Sequence, residues 1–315
     1  MPTLDPTLAE WLPKIHTLAE QAKAAGIEPT PISAREGLAS LTRQFVDAGP
    51  DMTIKDFVIP GGAYQVPVRT FLPQQASGGP VIVYVHGGGH MAGSVTVYDP
   101  ICRRIAEICQ RCVVSVEYRR SPENPYPAGL ADLNQVLENF APTLSNRDIA
   151  HNSQVILMGD SAGGALCATL CARYQHRADS PILGQILVYP SLDYTMGHQS
   201  YTENGRGHLL EVEKIRWYFQ NYFSRGEERV QASPLSMPVS VGLPPTLVFT
   251  AQFDPLRDEG HAYVEKLRAA GAQAWLHNFD DMIHAFLNLE QLAPSACSTL
   301  YQRTADFITQ LLSDQ

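Results

Sequence analysis

Apolar side chains recur at three- and four-residue spacing near the start of the chain, most clearly at Leu8, Trp11, Leu12, Ile15 and Leu18, and this period predicts helices over 4–25 and 31–48. The period then shortens to two. Thr53 to Ile59 and Gln65 to Leu72, separated by the Gly61-Gly62 turn, predict a hairpin at the edge of a sheet. Beyond it, short apolar runs near 81–85, 112–118, 155–159, 185–189, 246–251 and 273–279 alternate with helical periods near 98–110, 128–140, 161–176, 258–270 and 296–312. Such alternation predicts crossover units, hence an α/β chain with a mostly parallel, twisted sheet of eight strands and helices on both faces.

One interval breaks the rhythm. Between the strand ending near Tyr189 and the one starting near Thr246 lie more than fifty residues, where a loop and one helix would suffice. Within it, Glu211 to Phe223 reads as an amphipathic helix carrying Trp217, Tyr218, Phe219, Tyr222 and Phe223, preceded by the turn-forming Asn204-Gly205-Arg206-Gly207. Ligands of open parallel sheets bind at the carboxyl ends of the strands, so an insertion there is expected to cover the site. The plainer use of those aromatics is to pack the helix onto the core. The division that follows is N-terminal helices over 1–50, a core over 51–190 and 244–315, and an inserted cap over 191–243.

Composition narrows the function classes. With 315 residues, 44% hydrophobic and 17% charged, the chain has the make-up of a globular protein and none of the polarity of a disordered one. Net charge is −9 and lysines and arginines do not cluster, which sets aside nucleic acid and anionic membranes as partners. The opening Met1-Pro2-Thr3-Leu4-Asp5-Pro6 lacks a secretory pattern and no apolar run reaches spanning length, so a cytoplasmic location is expected. Six cysteines are present, and the lone Cys109-x-x-Cys112 spans a helix-to-strand handover with no second pair to complete a zinc site.

The chemistry concentrates after the run Val155-Ile156-Leu157-Met158, where Gly159-Asp160-Ser161-Ala162-Gly163 sets a serine on a sharp strand-to-helix turn. Small neighbours are expected there because a side chain two positions away would meet the incoming helix. A serine hydroxyl needs a base, and the base needs an acid to fix its tautomer. Asp254 follows the strand Leu247-Val248-Phe249-Thr250 and is the preferred acid; Asp258 is the rival, with helix N-capping as its structural explanation. His284 follows the strand near 273–279 and is the natural base, whereas His277 falls within a strand and His261 within a helix. His86-Gly87-Gly88-Gly89 follows Val81 to Val85 with no spacer, exposing backbone N–H groups to a developing oxyanion, and the Ala162 N–H at a helix start would add another. Gly87, Gly89, Gly93 and Glu117 imitate a dinucleotide loop with the wrong spacing, and His86 with His90 imitates a zinc helix that three glycines would break.

Taken together, His86 to Gly89, Glu117-Tyr118-Arg119 leading to Ser121-Pro122-Glu123-Asn124-Pro125-Tyr126-Pro127, Gly159 to Gly163, Asp254-Pro255-Leu256 and His284-Ala285-Phe286 resemble the hormone-sensitive-lipase-like α/β-hydrolases, the bacterial HGGG carboxylesterases. The resemblance implies a triad of Ser161, Asp254 and His284, an oxyanion hole of Gly88, Gly89 and Ala162, a helical cap, no cofactor, and frequent dimers. It further implies hydrolysis of short- to medium-chain carboxylic esters through an acyl-enzyme. Amide deacetylation or acyl transfer by the same triad, and a non-catalytic small-molecule receptor on the same fold, are the alternatives. Three positions depart from the pattern: Ala285 for the usual glycine, Glu117 for aspartate, and His90 for an aromatic, expected to alter respectively the loop of His284, nothing catalytic, and the pocket wall.

Overall fold

Runs of β-branched residues assemble one sheet in the computed structural model, which describes residues 2–313 apart from 63 and 77. Its strands are β1 (Thr53–Ile59), β2 (Val66–Leu72), β3 (Val81–Val85), β4 (Val113–Val116), β5 (Val155–Asp160), β6 (Ile182–Val188), β7 (Thr246–Phe253) and β8 (Ala274–Ile283). Across the sheet they run β1-β2-β4-β3-β5-β6-β7-β8. β1 pairs antiparallel with β2 and β2 with β4, while every later pair is parallel. The helices are α1 (Pro6–Ala24), α2 (Pro31–Phe45), α3 (Asp99–Cys109), α4 (Ala128–Ser145), α5 (Ala162–Tyr174), α6 (Ser200–Glu203), α7 (Val212–Tyr222), α8 (Arg229–Ala232), α9 (Arg257–Ala269) and α10 (Pro294–Ser313). Among the described residues, no helix is long and apolar enough to cross a membrane.

Alternation along the central strands sends side chains to two separate cores. Ile82, Tyr84, Ile156 and Met158 join Ile101 and Ile105 of α3 and Leu300 and Phe307 of α10 on one face. Val81, Val83, Val155 and Leu157 join residues of α4, α5 and α9 on the other. The chain places β4 on one side of β3 and β5 on the other, so its direction of progress reverses between β3 and β5. The crevice above such a reversal is where parallel sheets hold ligands. His86 directly follows β3 and Ser161 directly follows β5.

Several boundaries differ from the sequence reading for local reasons. β8 continues through Asp280 and Asp281 to Ile283, because the register shifts at Ala251 to Phe253 of β7 and Ile283 pairs with Phe253. α4 runs five residues further than the apolar period suggested, to Ser145, with Thr143 and Leu144 buried. α2 stops at Phe45, where Val46 turns extended while its N–H still bonds Thr42. Leu18 does not share the buried stripe of Leu8, Trp11 and Leu12; it is 61% exposed, since only the first turns of α1 lie on the sheet core.

The segment between β6 and β7 gathers Tyr194, Tyr201, Ile215, Phe219, Tyr222 and Phe223 into a small core that also takes in Ala165 and Leu256. Its root is fastened to α9. The buried Glu259 carboxylate accepts from the N–H groups of Leu192 (2.5 Å) and Asp193 (2.9 Å) and from the Tyr201 hydroxyl (2.5 Å). Burial pushes this carboxyl up to about 8, against the lowering pull of those three donors. In the unfolded chain it titrates near 4.5, so between these values the folded protein holds the extra proton. The resulting stability is full below the lower value and is lost as pH rises through the higher. Melting temperature is therefore expected to fall over about pH 4.5 to 8, and Glu259→Gln to flatten that slope; identical slopes by calorimetry would refute the coupling.

Candidate active site

Ser161 lies between β5 and α5 at φ 50° and ψ −119°, backbone that L-residues rarely adopt. The glycines around this turn pack too closely to carry side chains of their own. A Cβ at Gly163 would sit 1.9 Å from the Val85 carbonyl oxygen. The obstacle at that position is thus the end of β3, where the sequence reading had placed it in the incoming helix; the helix's first turn is the obstacle for Gly159.

Three of the predicted residues converge. Ser161 Oγ lies 3.0 Å from His284 Nε2, and His284 Nδ1 lies 2.7 Å from Asp254 Oδ2. Asp254 is fully buried and its other oxygen, Oδ1, accepts from the Leu256 N–H at 2.8 Å, so both of its oxygens are engaged. The carboxylate needs a donor, which assigns the imidazole proton to Nδ1 and leaves Nε2 as an acceptor for the serine proton. Ser161 and His284 are only 9% and 6% exposed.

Asp258 goes elsewhere. It is the second residue of α9, not its N-cap: its Oδ2 accepts from the Ser200 N–H at 2.8 Å and its Oδ1 from Arg257 Nε at 2.8 Å. It ties the inserted segment to α9, as Glu259 does.

The glycine loop closes over the serine. Gly88 and Gly89 have φ of 111° and 63°, and a Cβ on Gly89 would meet the Tyr218 ring at 2.4 Å. Both glycines and Ala162 line the same cavity as Ser161 and His284. His86 turns into the protein, sandwiched by Tyr118 and Tyr98 with ring centroids 4.4 and 5.6 Å away. His90 does not line this cavity, contrary to the expectation of a pocket wall; it packs into the aromatic core of the insert. Burial pushes both imidazoles down to about 3, so they stay neutral and offer no competing charge.

Sequence reading gave Asp160 no task. Its buried carboxylate accepts from the Gly87 N–H (2.7 Å), the Tyr84 hydroxyl (3.0 Å) and the Tyr98 hydroxyl (2.9 Å), fixing the base of the glycine loop to the residue before the serine. Burial pushes it up to about 6, opposed by those donors. Its place inside the serine pentapeptide was the one signal available. Glu117 fastens the far side of the loop, accepting from the Val95 N–H at 2.7 Å.

Around these groups is a cavity of about 320 Å³ with largely apolar walls. Ile15, Leu38 and Leu41 come from the first two helices, and Leu209, Ile215 and Phe219 from the insert. Such a site suits a small apolar molecule presenting one polar group to Ser161.

Ala285, directly after the candidate base, has φ 62°. A methyl side chain in left-handed backbone costs about 1 kcal/mol that glycine avoids. Ala285→Gly is expected to raise the melting temperature by a degree or two, a gain partly offset by glycine's freedom in the unfolded chain. A lower melting temperature would show that the Ala285 methyl contributes packing that outweighs the strain.

The description "alpha/beta hydrolase fold" matches residues 82–288. Carboxylic ester hydrolase LipN of Mycobacterium tuberculosis is 33% identical, the match covering 92% of this chain and 78% of that one. Among solved structures, an esterase of Pyrobaculum calidifontis superposes with a TM-score of 0.85 at 29% identity, covering 98% of this chain and 99% of that one. Relatives with other names exist: the gibberellin receptor GID1A of Arabidopsis thaliana is 31% identical over 67% of this chain and 69% of its own. By sheet order, by the extent of the sequence match and by near-complete superposition, this chain belongs to the α/β-hydrolase superfamily, in its hormone-sensitive-lipase-like branch of carboxylesterases.

Proposed function

We propose that the chain hydrolyses small carboxylic esters with Ser161 as nucleophile, His284 as general base and acid, and Asp254 as the group that orients the imidazole and stabilises the imidazolium formed when it takes the serine proton. The observation carrying this reading is the unbroken line from Ser161 Oγ through His284 to Asp254, beside the backbone of Gly88, Gly89 and Ala162. His284 Nε2 takes the hydroxyl proton as Oγ bonds to the ester carbonyl carbon, and the carbonyl oxygen becomes an oxyanion. The N–H groups of Gly88, Gly89 and Ala162 receive that charge; one such donor is worth about 3 kcal/mol in the transition state. Collapse breaks the carbon–oxygen bond to the alcohol, which leaves with the proton from His284. Water then repeats the sequence on the acyl-enzyme, returning the acid and a free serine.

The helices over 1–50 and the segment 191–243 act as the cap in this reading. Their apolar side chains on the cavity, Leu38, Leu41, Leu209 and Phe219, support an acyl portion of short to medium length. Amide deacetylation or acyl transfer would use the same groups. A silent receptor would have no need of a serine aligned on a buried imidazole. An alkyl phosphonate fluoride separates the classes: covalent labelling at Ser161 within minutes, together with turnover of 4-nitrophenyl acetate, butyrate and octanoate, is expected. Absence of both labelling and turnover would favour a receptor, and turnover of acetamides above esters a deacetylase.

A further inference from the structure

His90 follows the two glycines directly, in left-handed backbone at φ 59°. Its ring lies flat on Tyr222 of α7, centroids 3.7 Å apart and planes 5° from parallel. Its Nε2 lies 3.2 Å from the Tyr194 hydroxyl, and its carbonyl accepts from both the N–H (2.8 Å) and the hydroxyl (3.0 Å) of Ser121. Tyr218, one turn before Tyr222 and on the same helical face, is the ring that covers Gly89. Two side chains of one inserted helix therefore bracket Gly89-His90.

We propose that His90 is a positioning residue: stacked on Tyr222, it fastens the Gly88-Gly89 amides to helix α7, so that the order of the inserted segment sets the aim of the oxyanion donors. The inference rests on the oxyanion role assigned above to those glycines. Glycines have no side chain to hold them and range widely in φ and ψ, so the shape of this loop depends on the turn in which the Gly88 carbonyl accepts from the Met91 (3.1 Å) and Ala92 (2.8 Å) N–H groups and on what fastens its two flanks. Asp160 holds the Gly87 end and His90 holds the other. A donor is useful only about 2.7 to 3.1 Å from the place the oxyanion will occupy. A loop that lost the ring contact, its residue-90 carbonyl still held by Ser121, would bind substrate as before and stabilise the developing charge less. The loss then falls on kcat, with KM little changed.

The test compares kcat and KM for 4-nitrophenyl butyrate in His90→Ala, His90→Phe, Tyr222→Ala and the His90→Ala/Tyr222→Ala double variant, with melting temperatures alongside. His90→Ala is expected to lower kcat about ten-fold, less than outright loss of a donor, with KM within about two-fold. His90→Phe restores a flat ring on Tyr222 and is expected to recover most of kcat, and the double variant is expected to be no slower than the worse single one. Should His90→Ala fail to fold, His90→Leu, which fills the space without an aromatic plane, carries the same expectation. An unchanged kcat, a loss confined to KM, no recovery in His90→Phe, or multiplying losses in the double variant would each overturn the proposal. Full activity in Ser161→Ala would instead remove the hydrolytic reading beneath it.

Discussion

Ser161→Ala is expected to lower ester hydrolysis about a million-fold, the size of loss that follows removal of the nucleophile in subtilisin. The hydroxyl makes its hydrogen bond to His284 and supplies the atom that attacks, so nothing else in the cavity can take its place. Stability should change by less than about 1 kcal/mol, because alanine tolerates φ 50° no worse than serine and the His284 Nε2 acceptor that loses the hydroxyl lines the cavity, where water can replace it. Initial rates on 4-nitrophenyl butyrate, with a melting curve on the same preparation, give both numbers. Activity above a few per cent in a folded variant would remove Ser161 from the mechanism.

Asp254→Asn is expected to cost about 10⁴-fold in kcat, as the equivalent change does in trypsin-like proteases. The reason lies in the partners of the two oxygens. The Leu256 N–H requires an acceptor, so the asparagine carbonyl would take that place and its NH2 would face His284 Nδ1. The imidazole proton would then move to Nε2, toward Ser161, and the ring could no longer accept the serine proton. Asp258→Asn is the control, expected to change kcat by less than about three-fold, since that carboxylate meets Ser200 and Arg257 instead. Comparable losses in the two variants would undo the assignment of Asp254.

The sequence could point to Ser161, Asp254 and His284 because each stands at or just past the carboxyl end of a strand, and parallel strands end on one edge. Strand order across the sheet was hidden: right-handed crossovers with helices on both faces require a reversal somewhere, but only the folded sheet places it between β3 and β5. Less legible were groups whose partners are remote backbone atoms. Asp160 and Glu259 look like ordinary surface acids in the chain, and only folding brings Gly87, Leu192 and Asp193 to them. Asp258 read as a cap because a helix does begin beside it, while its carboxylate meets the adjacent Arg257 and the Ser200 N–H 58 residues away. His90 read as a wall because it stands where an aromatic often follows the glycines in the family resembled; the left-handed turn carries its ring to Tyr222 instead. The end of β8 was missed because two adjacent aspartates resemble a loop, and the register shift that keeps them in the strand belongs to its neighbour.

Part of the apolar cavity wall, Leu38, Leu41, Leu209 and Phe219, lies outside the sheet that carries Ser161, Asp254 and His284, while Gly88, Gly89 and Ala162 line the same cavity from the core. Substitutions at those four wall positions can therefore reshape the space offered to a substrate without touching the groups that react, whereas changes at Tyr218 or Tyr222 reach the glycine loop. Innovation in this architecture is cheap where it alters taste and prohibitive where it would alter chemistry.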